Sequence, residues 1–555
     1  MAKLTRVEDR PTPPEVYGWR VYMNAFIATF AAVMIGYDSA FIGTSISLAS
    51  FKSEFNLTKK TTTEFNLISA NIVSLYQAGC FFGAIFGYPI GYYLGRRWGL
   101  FLAGFVFCVG AAMQTAASCV VPLSAFDNFT TSHRSSTGLG IIYAGRVIVG
   151  VAIGTASNLA PIYVAEIAPP AIRGRLIGMY ELCWRIGGTV GFWINYGVTR
   201  HIPAGHMQWL IAFAVQLVPG GLLFFGAPFM TESPRWLVSR DRNDEALEKL
   251  AWLRHLSPTH PYVVEEYVAI EETIKHERSL AGAGFLGPLK TVFDSKKLLY
   301  RLFLGASLFA WQNATGINAI NYYSPTIFKS IGVTGQNASL LTTGVYGIIK
   351  LVGALLWLLY IVDCFGRRRV LLIGSLGGAI SMYYIGAYIA IVKPADHPTS
   401  TLTAGGKSAI AFFYIWTAFY SPSWNGTPWV VGAEFFPQHV RTFTQACMAA
   451  SNWLFAFLIA RFTPQMFAAM GYGVYIFFAS LMILSIFYVY FLLPETKQIP
   501  LEHMEDLFAP GVKPWHAHDI VMAKIRNENR MRASGNNSSE YVADEKVDQE
   551  QVETV

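Results

Sequence analysis

The sequence predicts an all-α integral membrane protein, with twelve transmembrane helices in two six-helix halves. Three observations predict it. First, apolar types make up 53% of the 555 residues and charged types only 14%, against roughly a quarter charged in soluble domains. Mean hydropathy is +0.37. Such a surface needs lipid as its solvent, which excludes a disordered chain, a nucleic-acid-binding protein and most soluble enzymes. Second, twelve apolar segments have about the 20-residue length that crosses a bilayer. Third, the chain repeats itself at an offset near half its length.

The elements follow in order. Residues 1–19 are polar and Pro-rich. They lack the apolar core and cleavage site of a secretory signal, so the first span is expected to serve as its own insertion signal. Spans are expected near 20–44, 66–90, 98–118, 138–162, 173–199 and 207–229, forming an N-terminal half over 20–229. A linker over 230–298 carries two amphipathic patterns. Leu247, Leu250 and Ala251 follow the helix-starting Asn243-Asp244-Glu245, and Val263, Tyr267, Ile270 and Ile274 recur on one helical face. The C-terminal half, 299–493, holds spans near 299–328, 338–362, 369–392, 406–431, 441–468 and 471–493. The tail, 494–555, ends in an acidic stretch expected to be disordered.

Basic residues orient the spans. Arg96, Arg97, Arg173, Arg175, Arg367, Arg368, Arg369 and Arg441 all fall in even-numbered loops, on the side of Lys3, Arg6, Arg10 and Arg20. The positive-inside rule makes that side cytoplasmic, with both termini. The net charge of +7 is mild enough for these loops to supply. The opposite loops hold the candidate glycan acceptors Asn56, Asn128 and Asn337. Cys80, Cys108, Cys119, Cys183, Cys364 and Cys447 show no paired spacing, so neither a disulfide framework nor a metal site is expected.

The repeat is specific. Gly95-Arg96-Arg97 recurs as Gly366-Arg367-Arg368. Glu166-Ile-Ala-Pro169-x-x-x-Arg173 recurs as Glu434-Phe-Phe-Pro437-x-x-x-Arg441. Glu232 has a weaker echo in Glu495. The offsets are 271, 268 and 263 residues. Ordered matches near one offset indicate two homologous halves in parallel orientation, flanking a central cavity about which they rock.

Further strings carry a resemblance: Gly36-Tyr37-Asp38, Arg146-x-x-x-Gly150-x-x-x-Gly154, Pro161-Ile-Tyr163-x-x-Glu166, Glu232-Ser-Pro-Arg235-Trp236-Leu237, Gln312-x-x-x-Gly316-Ile-Asn318, Tyr322-Tyr323-Ser-Pro325, Pro428-Trp429, Asn452-Trp453 and Pro494-Glu495-Thr496-Lys497. In order and spacing they resemble the sugar porters of the major facilitator superfamily, over residues of about 20 to 505. Glu8-Asp9-Arg10-Pro11-Thr12-Pro13 and Ser423-Trp424-Asn425-Gly426-Thr427 are most similar to fungal quinate permeases and close relatives. The chain departs from the family pattern at Tyr92 and Tyr93, where an Asp is usual before Gly-Arg-Arg; the second half keeps it as Asp363. It departs again at Asn313 and at Asn425-Gly426, which border the expected cavity.

An ionised group at the bilayer centre costs at least ~2.5–3.5 kcal/mol, so each needs a partner or a function. The resemblance implies that Asp38 and Arg146 are a proton-coupling pair, and the physics fits: moving an arginine away from a buried carboxylate raises its affinity for protons. A static salt bridge is the alternative. Glu181 falls where the resemblance places a sugar-binding glutamine, and Arg185 lies one turn along. They form either an internal ion pair or, with Arg185 facing the cavity, a fork for a substrate carboxylate. Lys350, near the midpoint of span 8, could serve the same end. Gln312, Asn313, Asn318, Tyr322 and Asn452 match the family's substrate positions. Amides both donate and accept, as ring hydroxyls do, and Trp429 offers the ring an apolar face. Glu166, Arg173, Glu434 and Arg441 are expected to pair across the halves with Arg96, Arg97, Arg367 and Glu232 as a cytoplasmic gate.

The expected function is therefore a secondary active transporter at a fungal plasma membrane. It would be a proton symporter importing a polyhydroxylated small molecule, favoured as quinate or a sugar acid such as galacturonate. The alternative is a symporter or facilitator of neutral pentoses or hexoses. A weaker third reading is a non-transporting sugar sensor. Not an enzyme, the chain is expected to need no cofactor or metal and to work as a monomer in the lipid bilayer, with its substrate and protons as partners.

Overall fold

The structure, a computed structural model, describes residues 12–118, 133–282, 284–333, 335–361, 365–394, 396, 402–497, 499, 503–509 and 511–527. Asn128, Asp363, Cys119, Cys364 and the distal tail lie outside them.

Among the described residues twelve membrane-length helices or helix pairs follow one another. Spans 1 to 5 are Trp19–Ser47, Thr62–Tyr93, Gly95–Thr115, His133–Ile167 and Pro170–His201. Span 6 bends between His206–Ala214 and Leu217–Gly226. Span 7 comprises Lys296–Ala314 and Ile317–Ser330; span 8 is Gln336–Leu356, ending in the π-helical turn Trp357–Ile361. Span 9 is Arg367–Val392, span 10 comprises Ala404–Tyr420 and Thr427–Glu434, span 11 is Gln438–Met470 and span 12 is Gly473–Leu492.

Local signals set the starts. Thr61 and Glu64 form a reciprocal capping box at span 2: the Glu64 amide donates to Thr61 Oγ1 at 3.3 Å and the Thr61 amide donates to Glu64 Oε2 at 3.0 Å. Spans 7 and 10, expected as continuous helices, are each broken. At Gly316 (φ +85°) the chain turns through a conformation that favours glycine. Among the described residues nine helices are long and apolar enough to cross a membrane. The others are spans 5, 7 and 10, in which charge or a break interrupts the apolar run.

Each half has its own core. One gathers Ala31, Ile35, Leu100, Phe107, Ile153 and Tyr163; the other gathers Leu308, Phe328, Met382, Trp416 and Val489. The halves meet where span 2 packs on span 11, span 5 on span 8 and span 1 on span 7. Between them in sequence lies a linker of four helices, Pro234–Ser239, Asn243–Arg254, Pro261–Ala281 and Gly287–Asp294. Its expected apolar faces meet: Leu250 and Ala251 pack with Val263 and Tyr267, and Ile274 packs with Trp236 and Leu237. The membrane face bearing this linker is termed the linker face, and the opposite one the far face. The proximal tail also folds, with Ile499, Leu507, Ala517 and Val521 in one cluster.

Arg254 fastens the linker to the N-terminal half. It is 1% exposed. Its Nη1 donates to the Ile167 carbonyl at 2.9 Å, at the C-terminus of span 4, while Nε and Nη2 donate to Glu266 at 2.8 and 2.6 Å. Arg254→Ala strands a helix-end carbonyl and a half-buried carboxylate, a loss of about 1–3 kcal/mol per group. We expect the linker of this variant to be cut markedly faster by protease in membranes. A digestion rate equal to wild type would refute the fastening role.

Candidate functional site

The halves enclose a cavity at their seam, lined by spans 1, 5, 7, 8, 10 and 11. Spans 5, 7 and 10, whose apolar runs are interrupted, supply much of its polar lining. The break in span 10 frees carbonyls that a continuous helix would use, and span 7 satisfies them: Gln312 Nε2 donates to the carbonyls of Trp424 and Asn425 at 2.7 and 2.9 Å. Gln312 also faces the cavity. Beside it runs an amide chain. Asn318 Nδ2 donates to Asn313 Oδ1, and Asn313 Nδ2 donates to Asn452 Oδ1 at 3.1 Å. All three line the cavity, as do Tyr322 and Trp429. The Trp429 ring meets Phe309 edge-on, with centroids 4.7 Å apart.

Arg185 is placed at the cavity and against Glu181. It lines the cavity, and its Nη2 donates to Glu181 Oε1 at 2.5 Å. Glu181 stands behind it, off the cavity lining, with Asn425 Nδ2 donating to it at 3.5 Å. An i,i+4 partner holds Glu181 against its own helix. Lys350 lines the cavity from span 8. Sequence reasoning missed Asn321, Trp184, Thr189, Tyr420 and Trp453, which line it too. Asn321 carried a signal, lying one turn beyond Asn318 on the same face.

Asp38 and Arg146 form an ion pair with Nη1 2.6 Å from Oδ1, both side chains fully buried. Arg146 Nε donates to the Ile72 carbonyl at 3.1 Å, and its guanidinium lies 4.5 Å from the Tyr76 ring centroid. Among the described residues Asp38 Oδ2 and Arg146 Nη2 have no hydrogen-bond partner. The pair adjoins the cavity twice over. Gly36 and Ser39 line it from the helix carrying Asp38, and Tyr76 meets the cavity residue Trp453 edge-on at 5.9 Å.

On the linker face Arg96, Glu166 and Glu232, and likewise Arg367, Glu434 and Glu495, pair within their own half. For these pairs the expectation of pairing across the halves is corrected. Arg96 Nη2 donates to Glu166 at 2.8 Å, and Arg367 Nη2 to Glu434 at 2.9 Å. Glu232 accepts the Arg96 and Arg97 amides at 2.9 and 3.2 Å; Glu495 accepts those of Arg367 and Arg368 at 2.9 Å each. Each glutamate thus sits at the N-terminus of a span, where amides and helix dipole favour an anion. Gly95 (φ +87°) and Gly366 (φ +84°) aim the amides, and an added Cβ would lie 2.4 and 2.6 Å from those carboxylates. The physical reason for pairing within halves is this turn, which directs each Gly-Arg-Arg back onto its own bundle. Burial raises the Glu232 carboxyl above the ordinary carboxylate range, against the pull of the Ser233, Arg96 and Arg97 amides. Arg441 Nη2 donates to the Phe436 carbonyl at 3.1 Å, and Arg173 is exposed at the start of span 5.

The family profile of sugar (and other) transporters matches residues 24–508. The chain belongs to the sugar transporter family. Members of this family are transporters rather than enzymes, and the fold is that of the major facilitator superfamily. The quinate permease of Emericella nidulans is 56% identical over 551 residues, covering 98% of this chain and 99% of that protein. A protein of Aspergillus niger named probable quinate permease is 56% identical over 529 residues, covering 95% of each. Among solved structures, the proton:xylose symporter XylE bound to 6-bromo-6-deoxy-D-glucose aligns with a TM-score of 0.72 at 25% identity, over 88% of this chain and 99% of that one.

Proposed function

We propose that this sugar transporter family member is a proton symporter importing quinate or a related hydroxylated acid at a fungal plasma membrane. It would act by alternating access, as a monomer, with linker and termini in the cytoplasm. The carrying observation is the seam cavity itself: cations and a row of amides face one small space, and the buried Asp38–Arg146 pair adjoins it. The names of the similar permeases point the same way for substrate, and the symporter likeness for proton coupling.

In this reading Gln312, Asn313, Asn318, Tyr322 and Asn452 exchange hydrogen bonds with ring hydroxyls, and Trp429 covers the ring's C–H face. Arg185 orients the acid, steadied by Glu181. Asp38 carries the proton and Arg146 senses its charge. The paired Arg96, Glu166, Glu232 and Arg367, Glu434, Glu495 sets, with Arg97, Arg173 and Arg441 beside them, keep each half rigid as it rocks. Asn56 and Asn337, exposed on the far face, are the proposed glycan acceptors.

One observation favours the neutral-sugar reading: Arg185 already has an acid partner and does not require one from the substrate. Uptake of labelled quinate, galacturonate, xylose and glucose by transporter-deficient yeast, with and without protonophore and against empty-vector cells, separates the two. We expect protonophore-sensitive uptake of the acid alone, with Arg185→Gln lowering it about tenfold or more at normal surface expression. Uptake confined to the neutral sugars would reject the acid.

A further inference from the structure

We infer that Lys350, rather than Arg185, is the cation that neutralises the substrate carboxylate and sets the preference for a singly charged acid over a neutral polyol. The inference rests on the transport reading above and deepens it.

Among the buried cations of the described residues, Lys350 stands apart. Arg96, Arg146, Arg185, Arg254 and Arg301 each have a carboxylate partner: Glu166, Asp38, Glu181, Glu266 and Glu505. Lys350 is 9% exposed, and among the described residues no carboxylate pairs with it. Its Nζ donates to Asn321 Oδ1 at 2.9 Å, an oxygen that also accepts the Tyr346 hydroxyl at 2.6 Å. An ammonium has three donors and no acceptor; Asn321 takes one N–H and none of the charge. From the middle of span 8 the side chain cannot snorkel to water.

Geometry places this charge in the substrate's space. Thr189 Oγ1 donates to the Gly347 carbonyl at 3.1 Å, joining spans 5 and 8 one turn from Lys350. A Cβ on Gly347 would lie 2.9 Å from the Phe192 ring. That close approach packs the helices carrying Lys350 and Arg185 together, and both side chains line the cavity with the amides of span 7. With Glu181 cancelling Arg185, the group of three carries one net positive charge when Lys350 holds its proton. A monocarboxylate neutralises it; a neutral polyol leaves an ammonium buried without a counter-ion, and a dicarboxylate brings one charge too many. The Asn321 oxygen fixes Nζ, and the remaining N–H groups are free for a carboxylate. Charge-assisted bonds of this kind are the stronger class.

The test uses the full chain in lipid nanodiscs, titrated with quinate and with its uncharged carboxamide. Trp184, Trp429 and Trp453 line the cavity and report binding by fluorescence. Wild type is expected to prefer the acid by about 10- to 100-fold. Lys350→Gln removes the cation, and Asn321→Asp supplies Lys350 with an internal acid at nearly unchanged volume. Both are expected to bring the acid-to-amide ratio near one by weakening the acid alone. A merely structural Lys350 would weaken both ligands together and leave the ratio intact. An unchanged ratio in Lys350→Gln, or in Asn321→Asp where the former does not fold, overturns the inference while leaving acid transport standing. Binding of xylose or glucose with neither quinate nor its amide would instead overturn the transport reading beneath it.

Discussion

Replacing Asp38 with asparagine is expected to abolish accumulation of substrate against a gradient while sparing exchange. Asparagine keeps the shape and can still accept the Arg146 hydrogen bond that Asp38 Oδ1 accepts at 2.6 Å. It cannot carry a proton. In a symporter the empty and loaded carriers must cross with different protonation, whereas exchange needs only that the loaded carrier reorient. Counterflow from preloaded vesicles therefore continues, and net uptake falls until the internal level matches the external one, with or without a protonophore. The substitution also leaves Arg146 buried without its counter-ion. Breaking such a pair from one side costs about 3–5 kcal/mol, so thermal stability in detergent drops. Asp38→Asn/Arg146→Gln is expected to recover part of that loss, since it removes the orphaned charge. A single variant that accumulates substrate as well as wild type would end the coupling role and leave the pair as a strut between spans 1 and 4.

The spans were legible because a helix that crosses lipid needs a long apolar run, and the other solution, a closed barrel, would show short alternating segments instead. The breaks in spans 7 and 10 were not. Gly316 and Gly426 are visible in the sequence, but a break is tolerable only when something satisfies the freed carbonyls. That Gln312 does so for Trp424 and Asn425 is a tertiary fact. The repeated Glu and Arg residues were likewise plain to see, and their partners were not. A charge pattern gives neighbours along a helix, while the turn at Gly95 or Gly366 decides which bundle the arginines meet. Glu232 and Glu495, a weak echo in sequence, make matching contacts in space. The Glu181–Arg185 pairing followed from i,i+4 spacing; that Arg185 also lines the cavity depended on helix rotation. Lys350 was legible as a lysine near the middle of a span, but that no carboxylate among the described residues pairs with it is a tertiary fact that no sequence displays.

Two glycines of span 1 are expected to fail in opposite ways, and the contrast probes which contacts open during transport. A Cβ at Gly36 would lie 1.9 Å from the Trp184 carbonyl oxygen of span 5. That contact lies inside the N-terminal half and persists in every state of a rocking carrier. Gly36→Ala therefore forces spans 1 and 5 apart throughout, an overpacking cost of about 1–3 kcal/mol or more, and less protein should reach the membrane. A Cβ at Gly43, two turns towards the far face, would lie 2.0 Å from the Tyr322 carbonyl oxygen of span 7. This contact joins the two halves. A backbone oxygen cannot swing aside as a side chain would, so Gly43→Ala penalises only the state in which the far face is closed. The open state keeps both halves intact. Surface expression should stay near wild type, transport should fall by an order of magnitude or more, and a cysteine at Asn318 should label faster with an impermeant maleimide from the far side. A penalty of about 1.4 kcal/mol already shifts such an equilibrium tenfold. Normal transport by Gly43→Ala would mean that spans 1 and 7 do not need this approach to close, and the far-face seal would then have to be sought elsewhere.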